Sequence, residues 1–226
     1  MAHVQTYEKA LKQIFTDDDP ELAARVARVC VLFEDLRVEY WGAHEDGPLP
    51  LDKLGIEYSR FYFLRRSLVT LDEFAGAISR LNALRSWSDT IKNHENEEQR
   101  TIWNDAIAFF GAAKEQFAKL RNDIGGHYQE KSAEYAVESM TAGTVGRFDI
   151  EVEGEGADTK LHFATELVTR LLVKDMPADG EATDEKLQAY IGALFREVVD
   201  GWGHVISAVH VVAAAYLTPR FIKDGA

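Results

Sequence analysis

The sequence predicts a mainly α fold class, a helical bundle of long amphipathic helices with one small β-hairpin. Apolar residues recur at three- and four-residue steps over three long stretches, and helix start and stop signals bound these stretches. Strict apolar/polar alternation occurs in one region, around residues 147–153. With 226 residues and 46% hydrophobic residues, the chain can bury a sizeable core. We therefore expect one domain over residues 1–226.

The core of this domain is predicted at about 20–140 and contains three long helices. Asp19 can cap the first helix, at about 20–42, and Pro20 suits its first turn. The second helix is predicted at about 56–85 and the third at about 96–124, where Gly125-Gly126 stops it. Their predicted buried faces are Leu22, Val26, Val29, Leu32, Phe33 and Leu36; then Phe61, Leu64, Leu68, Leu71, Ala75 and Ile78; then Ile102, Ala106, Phe109, Phe110, Ala113, Phe117 and Leu120.

The β-hairpin is predicted at about 147–163. Its first strand alternates from Arg147 to Glu153, and Gly154-Glu155-Gly156 provides the turn. The acids between Asp149 and Asp158 favour a solvated strand face over a cation site, because their spacing fits no calcium loop.

C-terminal helices are predicted over about 164–217, with a bend at Gly201 and Gly203 in the last of them. From Gly201 to Pro219 the chain carries no formal charge, so a membrane span is one interpretation. Gly203, Ser207, His210 and Ala214 instead form a small or polar stripe that is typical of close helix packing. We therefore expect a buried core helix and no membrane association.

The single cysteine, Cys30, excludes an intrachain disulfide and fits a reducing compartment. It lies in an apolar run, which predicts a buried, inert thiol. The N-terminal residues lack the basic and apolar segments of a signal peptide. These observations predict a cytoplasmic protein.

The formal net charge of −13 opposes a broad, non-specific nucleic-acid surface. Any RNA contact must then be local. Arg65 and Arg66 follow Tyr62 and Phe63, and arginines beside aromatic rings can bind phosphates and single-stranded bases. They are candidate phosphate- and RNA-binding residues. The alternative is a helix flank whose arginines pair with acids.

The segment Arg121-Asn122-Asp123-Ile124-Gly125-Gly126-His127 carries the main functional hypothesis. On an uninterrupted helix, six steps would rotate His127 about 120° away from Arg121. The two glycines permit a change of chain direction that can return His127 towards Arg121. His can take or deliver a proton near neutral pH, Arg can neutralise charge on a phosphate, and Asn122 can orient an imidazole. These three residues suffice for metal-free RNA cleavage by attack of the 2′-hydroxyl.

At these residues the sequence resembles the HEPN superfamily (higher eukaryotes and prokaryotes nucleotide-binding), helical bundles marked by an Arg, a following polar residue and a His a few positions on. The resemblance covers about residues 20–140. It implies a metal-independent endoribonuclease of the toxin or phage-defence type, with His127 as the acid/base, Arg121 as the phosphate-binding residue and Asn122 as the polar helper. It also implies a homodimer with a composite site and, for a toxin, an antitoxin or other regulatory protein as partner.

A second function class stays open: a catalytically inactive HEPN-like module that binds a protein or small ligand, or that oligomerises. In that case Arg121 and Asn122 only satisfy carbonyls at a helix end. We expect no metal and no cofactor, because no phosphate loop, dinucleotide fingerprint or repeated Glu–His pair is present. The histidines most open to a metal interpretation, His162, His204 and His210, are expected to be structural.

Overall fold

Helices make up most of the part of the chain that the structure describes, which confirms the mainly α fold class and the helical bundle. The structure is a computed structural model that describes residues 10–15, 19–44, 53–93, 96–122, 130–140, 148–150, 159–161, 167, 170 and 184–222. The helices are α1 (Leu11–Ile14), α2 (Pro20–His44), α3 (Lys53–Asn82), α4 (Arg85–Lys92), α5 (Glu97–Leu120), α6 (Glu130–Glu138), α7 (Asp184–Val212), a π-helical segment (Ala213–Leu217) and α8 (Thr218–Ile222).

The three predicted core helices correspond to α2, α3 and α5, with ends within a few residues of the expected positions. The short helix α4 was not predicted. The residue before it, Leu84, has no side chain that can cap a helix, so the usual start signal is missing from the sequence. Its amphipathic face, with Trp87 and Ile91 buried, is what holds it in place.

The chain divides into two compact units, and the first comprises residues 1–35, 72–114 and 201–226. Its core contains the fully buried indoles of Trp87 and Trp103. The two rings lie edge to face, with their centroids 5.0 Å apart. The Trp103 Nε1–H donates a 2.9 Å hydrogen bond to Oδ1 of Asn82. This bond satisfies a polar group that burial would otherwise leave without water, and it joins the end of α3 to α5.

Within the first unit α2 and α3 run antiparallel. The Arg25 guanidinium donates to the carbonyl oxygen of Arg80, and Arg28 lies 3.9 Å from the Glu73 carboxylate. The residue numbers of the contacts on α3 decrease as those on α2 increase, as they must for antiparallel helices. Of the residues predicted as buried in this part of α2, Leu22, Val26, Val29 and Leu32 are buried. Phe33 is only half-buried, and Ala23 is buried without having been predicted.

Asp19 confirms the predicted start of α2 and has a second role. Its Oδ1 accepts a 3.0 Å hydrogen bond from the backbone N–H of Leu22, and its Oδ2 accepts the hydroxyl of Ser86. These two bonds, the Ser86 hydroxyl first, lower the pKa of the Asp19 carboxyl below its ordinary value of 3.8. One carboxylate thus caps α2 and ties it to the first turn of α4.

We expect Asp19→Ala to lower the melting temperature at pH 7, because both bonds are lost. The folded pKa of Asp19 is lowered, so its contribution to stability is present above pH 4 and disappears as the pH falls through the folded value. The difference in melting temperature between wild type and variant should therefore shrink below about pH 3.8. Thermal denaturation at several pH values measures it, with the exposed carboxylate variant Asp105→Asn as control. A pH-independent difference would contradict the role of the charge.

The second unit comprises residues 36–71 and 115–200. Here too α2 and α3 run antiparallel, because Glu39 pairs with Arg66 and Gly42 meets Phe63. The Phe63 ring lies so close that a Cβ on Gly42 would fall 2.5 Å from it, well inside van der Waals contact. The glycine therefore provides the space that the ring occupies.

Gly42→Ala should destabilise the protein by about 1–3 kcal/mol, since the added methyl forces the Phe63 ring or the helix to shift. Gly111→Ala in α5 is the matched control, because nothing lies within 4 Å of its Cβ position. Relief of glycine's backbone entropy should make the control more stable by about 0.5–1 kcal/mol. Denaturant unfolding measures both, and equal effects of the two variants would refute the close approach.

Two short strands lie in the region predicted as a hairpin. Phe148–Ile150 (β1) and Thr159–Leu161 (β2) pair antiparallel, with Phe148 opposite Leu161. The remaining residues of 147–163 lie outside the described part of the chain. The hairpin as a whole, its acidic face and the single domain over 1–226 stay predictions.

The C-terminal helix differs from expectation in the face that it buries. Helix α7 keeps α-helical geometry through Gly201 and Gly203 and changes to π-helical geometry at Ala213–Leu217. The bend at Gly201 and Gly203 stays a prediction. The small or polar stripe is not the packing face, because Gly203 and His210 are exposed. In the first unit the buried side chains of this helix are Val205, Ala208, Val211, Val212 and Tyr216. The larger apolar side chains take the buried positions because their burial releases more free energy.

The stretch Ala189–Phe221 is, among the described residues, the helix that is long and apolar enough to cross a membrane. Its most apolar window has a mean hydropathy of 1.4, and 39% of that window is buried inside the protein. Length and composition alone do not distinguish a span from a core helix of this kind. The periodic burial from Val205 to Tyr216 is the pattern of a helix that packs one face on protein.

Candidate functional site

Arg121 and Asn122 lie directly after α5, where the helix widens into π-helical geometry. Both side chains are exposed, while Phe117 and Leu120, in the preceding turn, are buried. The apolar face of α5 therefore holds this end of the helix on the second unit and presents the two polar residues to solvent. Single π-helical turns are rare and frequently occur at functional sites.

His127, the predicted acid/base, lies outside the described residues, as does the whole segment 123–129. The structure thus describes two of the three predicted catalytic residues and shows them as exposed neighbours. The approach of His127 to Arg121 stays a prediction.

The electrostatic setting of Arg121 is that of a helix C-terminus. The last carbonyls of α5 carry partial negative charge, and the preceding turn also contains Lys119. A guanidinium is favourable there for the helix itself. Because Arg121 is exposed, its planar N–H groups can also form a bidentate pair with a phosphate, and the Asn122 amide can donate and accept beside it.

Arg65 and Arg66, the predicted phosphate-binding residues, lie half-buried on α3. The Arg66 Nε is 3.4 Å from Oε1 of Glu39, whose side chain is only 9% exposed. Arg66 therefore has the acidic partner that the alternative interpretation of this pair expected. A phosphate that binds Arg66 must compete with Glu39.

Sequence reasoning missed Glu39 and the exposed ring of Trp41, both on the last turns of α2. A signal for Glu39 was present, because it follows Leu36 by three residues and so falls on the buried stripe of α2. A carboxylate on an apolar stripe indicates a buried partner. Trp41 had no comparable signal, since periodicity alone does not show that a large ring stays 50% exposed.

The other candidate groups have structural settings in the described part of the chain. Cys30 is half-buried, whereas the sequence predicts a buried thiol. Desolvation, and to a smaller extent the Glu34 carboxylate, raise the pKa of this thiol and keep it protonated at neutral pH, which agrees with the predicted inert cysteine. The His204 ring stacks on Phe109 with centroids 4.1 Å apart. No group of three or more His, Cys, Asp or Glu side chains within the described ranges can hold a metal ion. His162 lies outside those ranges.

No protein-family model matches the chain, and neither a curated protein nor a solved structure matches it. The function must therefore be inferred from the residues themselves.

Proposed function

We propose that the protein is a HEPN-like, metal-independent endoribonuclease of the toxin or antiviral effector type. The observation that carries the proposal is the exposure of Arg121 and Asn122 at the end of α5, as the first two residues of an Arg-Asn-x4-His motif. If Arg121 and Asn122 only satisfied carbonyls at the end of α5, the motif would not require His127 six residues after Arg121. The proposed location is the cytoplasm, and the proposed substrate is RNA.

The proposed reaction uses the RNA's own 2′-hydroxyl as nucleophile. His127 removes its proton, the oxygen attacks the adjacent phosphorus, and the bond to the 5′-oxygen of the next nucleotide breaks. The departing oxygen takes a proton from water and His127 returns its proton to the solvent, which leaves a 2′,3′-cyclic phosphate and a 5′-hydroxyl. Arg121 stabilises the charge that develops on the phosphate oxygens, and Asn122 orients the imidazole.

A homodimer with a composite site is part of the proposal, because in the resembling superfamily two protomers commonly contribute their motifs to one site. Symmetric dimers are also the commonest assembly of soluble proteins. An antitoxin or regulatory protein is the further partner that a toxin would need.

The second candidate is an inactive HEPN-like module that binds a protein or small ligand or oligomerises. Three observations favour it. Arg66 is already paired with Glu39, and the formal net charge of −13 repels a polyanion. Arg121, at the C-terminal end of a helix, also has a sufficient structural role.

His127→Ala and Arg121→Ala should each reduce RNA cleavage by roughly a hundredfold or more, which is the effect of losing a general acid/base or a charge-stabilising group. Cleavage by the wild type should survive EDTA. The melting temperature of Arg121→Ala should equal that of the wild type, because an exposed side chain contributes little to the core. Lys114→Ala removes another exposed cation of α5 and is the control, with activity expected to be unchanged.

The two functions separate in one experiment that measures cleavage and melting temperature on the same variants. Lost cleavage with an unchanged melting temperature supports the enzyme. No cleavage of any RNA by the wild type, with a large drop in melting temperature for both motif variants, would make the inactive module the correct description.

Light scattering tests the composite site independently. The proposal expects twice the monomer mass of 25.4 kDa at high micromolar concentration. A monomer under those conditions would remove the composite site and leave at most a site within one chain.

A further inference from the structure

Two tyrosines lie exposed on one side of α3 in the second unit. Tyr58 and Tyr62 are 39% and 47% exposed, and they stand four residues apart. On a helix this spacing places them one turn apart on the same face, about 6 Å along the axis. Large aromatic side chains gain free energy from burial, so two exposed rings in one row give a ligand an apolar surface to stack on.

Arg65 and Arg66 lie on the same side of α3 as the two tyrosines. Counting about 100° per residue, Arg65 and Arg66 fall within about 80° of Tyr58 around the α3 axis. From Tyr58 to Leu71 the helix contains no acidic residue, although the whole chain has 38 acids against 25 lysines and arginines. This face of α3 is therefore a local cationic surface on an acidic protein.

Glu39 of α2 borders this row, because its carboxylate pairs with Arg66. The Tyr–Arg surface, as we define it, consists of Tyr58, Tyr62, Arg65 and Arg66.

We propose that the Tyr–Arg surface binds single-stranded RNA, with unpaired bases stacked on the rings and phosphates at the arginines. This inference rests on the proposed function and names its substrate class as unpaired RNA. Aromatic rings that bases stack on, combined with cationic groups that follow the backbone, are how proteins bind single strands without reading their sequence. Every base has a π-face, so the surface fits many sequences.

The charge pattern favours RNA over a second copy of the chain. An isologous contact would bring two patches of the same positive charge together, since the same patch meets itself. A polyanion has the complementary charge. Glu39 then acts as an internal competitor, because its carboxylate occupies Arg66 in the absence of RNA.

Because Glu39 competes with RNA for Arg66, the proposal predicts that some substitutions weaken RNA binding and that Glu39→Gln strengthens it. Affinity is measured by fluorescence anisotropy with a labelled 2′-O-methyl oligonucleotide, which lacks the 2′-hydroxyl nucleophile and cannot be cut. Tyr62→Ala should weaken binding roughly tenfold, the effect of losing one stacked base. Arg66→Gln should also weaken it and lower the slope of log K against log salt by about 0.7. Glu39→Gln should tighten binding by roughly two- to fivefold, because Arg66 is released.

Two controls accompany these variants. Val137→Ala changes an exposed valine of α6 and should bind as the wild type does. Trp41→Ala removes an exposed ring of α2 that lies outside the Tyr–Arg surface, and this variant should also bind as the wild type does.

The outcomes distinguish the surface from the catalytic proposal. If the wild type binds the oligonucleotide and the three variants change its affinity as expected, but no RNA is cut, the surface stands and the nuclease fails. If RNA is cut but Tyr62→Ala, Arg66→Gln and Glu39→Gln all bind as the wild type does, the surface is wrong. Absence of binding by the wild type, or dissociation of a dimer by Tyr62→Ala with RNA affinity unchanged, would also overturn it.

Discussion

The antiparallel packing of α2 against α3, present in each of the two units, is the constraint on which most of the described structure depends. In the second unit it requires a glycine, because the Phe63 ring occupies the space beside Gly42. It buries one face of α3, with Leu64 and Leu68 fully enclosed, and leaves the opposite face with Tyr62 exposed. The same packing brings the Glu39 carboxylate to Arg66. Helix packing thus determines both the buried core and the ion pair at the proposed RNA surface.

Features that depend on neighbours along the chain could be predicted from the sequence. The helical spacing identified most of the buried residues predicted on α2, α3 and α5, and Asp19 is the cap that the sequence predicts for α2. It missed the buried Phe74 and Trp103. Five residues that it predicted as buried are only half-buried: Phe33, Phe61, Ile102, Phe109 and Ala113. Features that depend on distant residues could not. The stripe at Gly203 and His210 was taken as a packing face, but larger apolar side chains on the other side of that helix gain more from burial.

In the candidate site, too, some features could be predicted from the sequence and others could not. The helical period of α5 predicts that a buried turn precedes Arg121. It does not predict the exposure of Arg121, which follows the buried Phe117 by four residues and is exposed in the structure. The position of His127 depends on the backbone angles of Gly125 and Gly126, and glycine leaves those angles open. Residue spacing therefore cannot give the distance between the two functional groups. The ion pair of Glu39 depends on the fold in another way, because its partner Arg66 is distant in the sequence and lies next to it only when α2 packs on α3.

The chemistry of the RNA ends is the most direct test of the central claim, that Arg121, Asn122 and His127 cut RNA through its own 2′-hydroxyl. Mass spectrometry of fragments produced in EDTA identifies those ends. The proposed reaction predicts a 2′,3′-cyclic phosphate on the upstream fragment and a 5′-hydroxyl on the downstream one, and no cleavage where a single 2′-deoxy nucleotide replaces the attacking one. Fragments with 3′-hydroxyl and 5′-phosphate ends, or cleavage at the 2′-deoxy position, would contradict it.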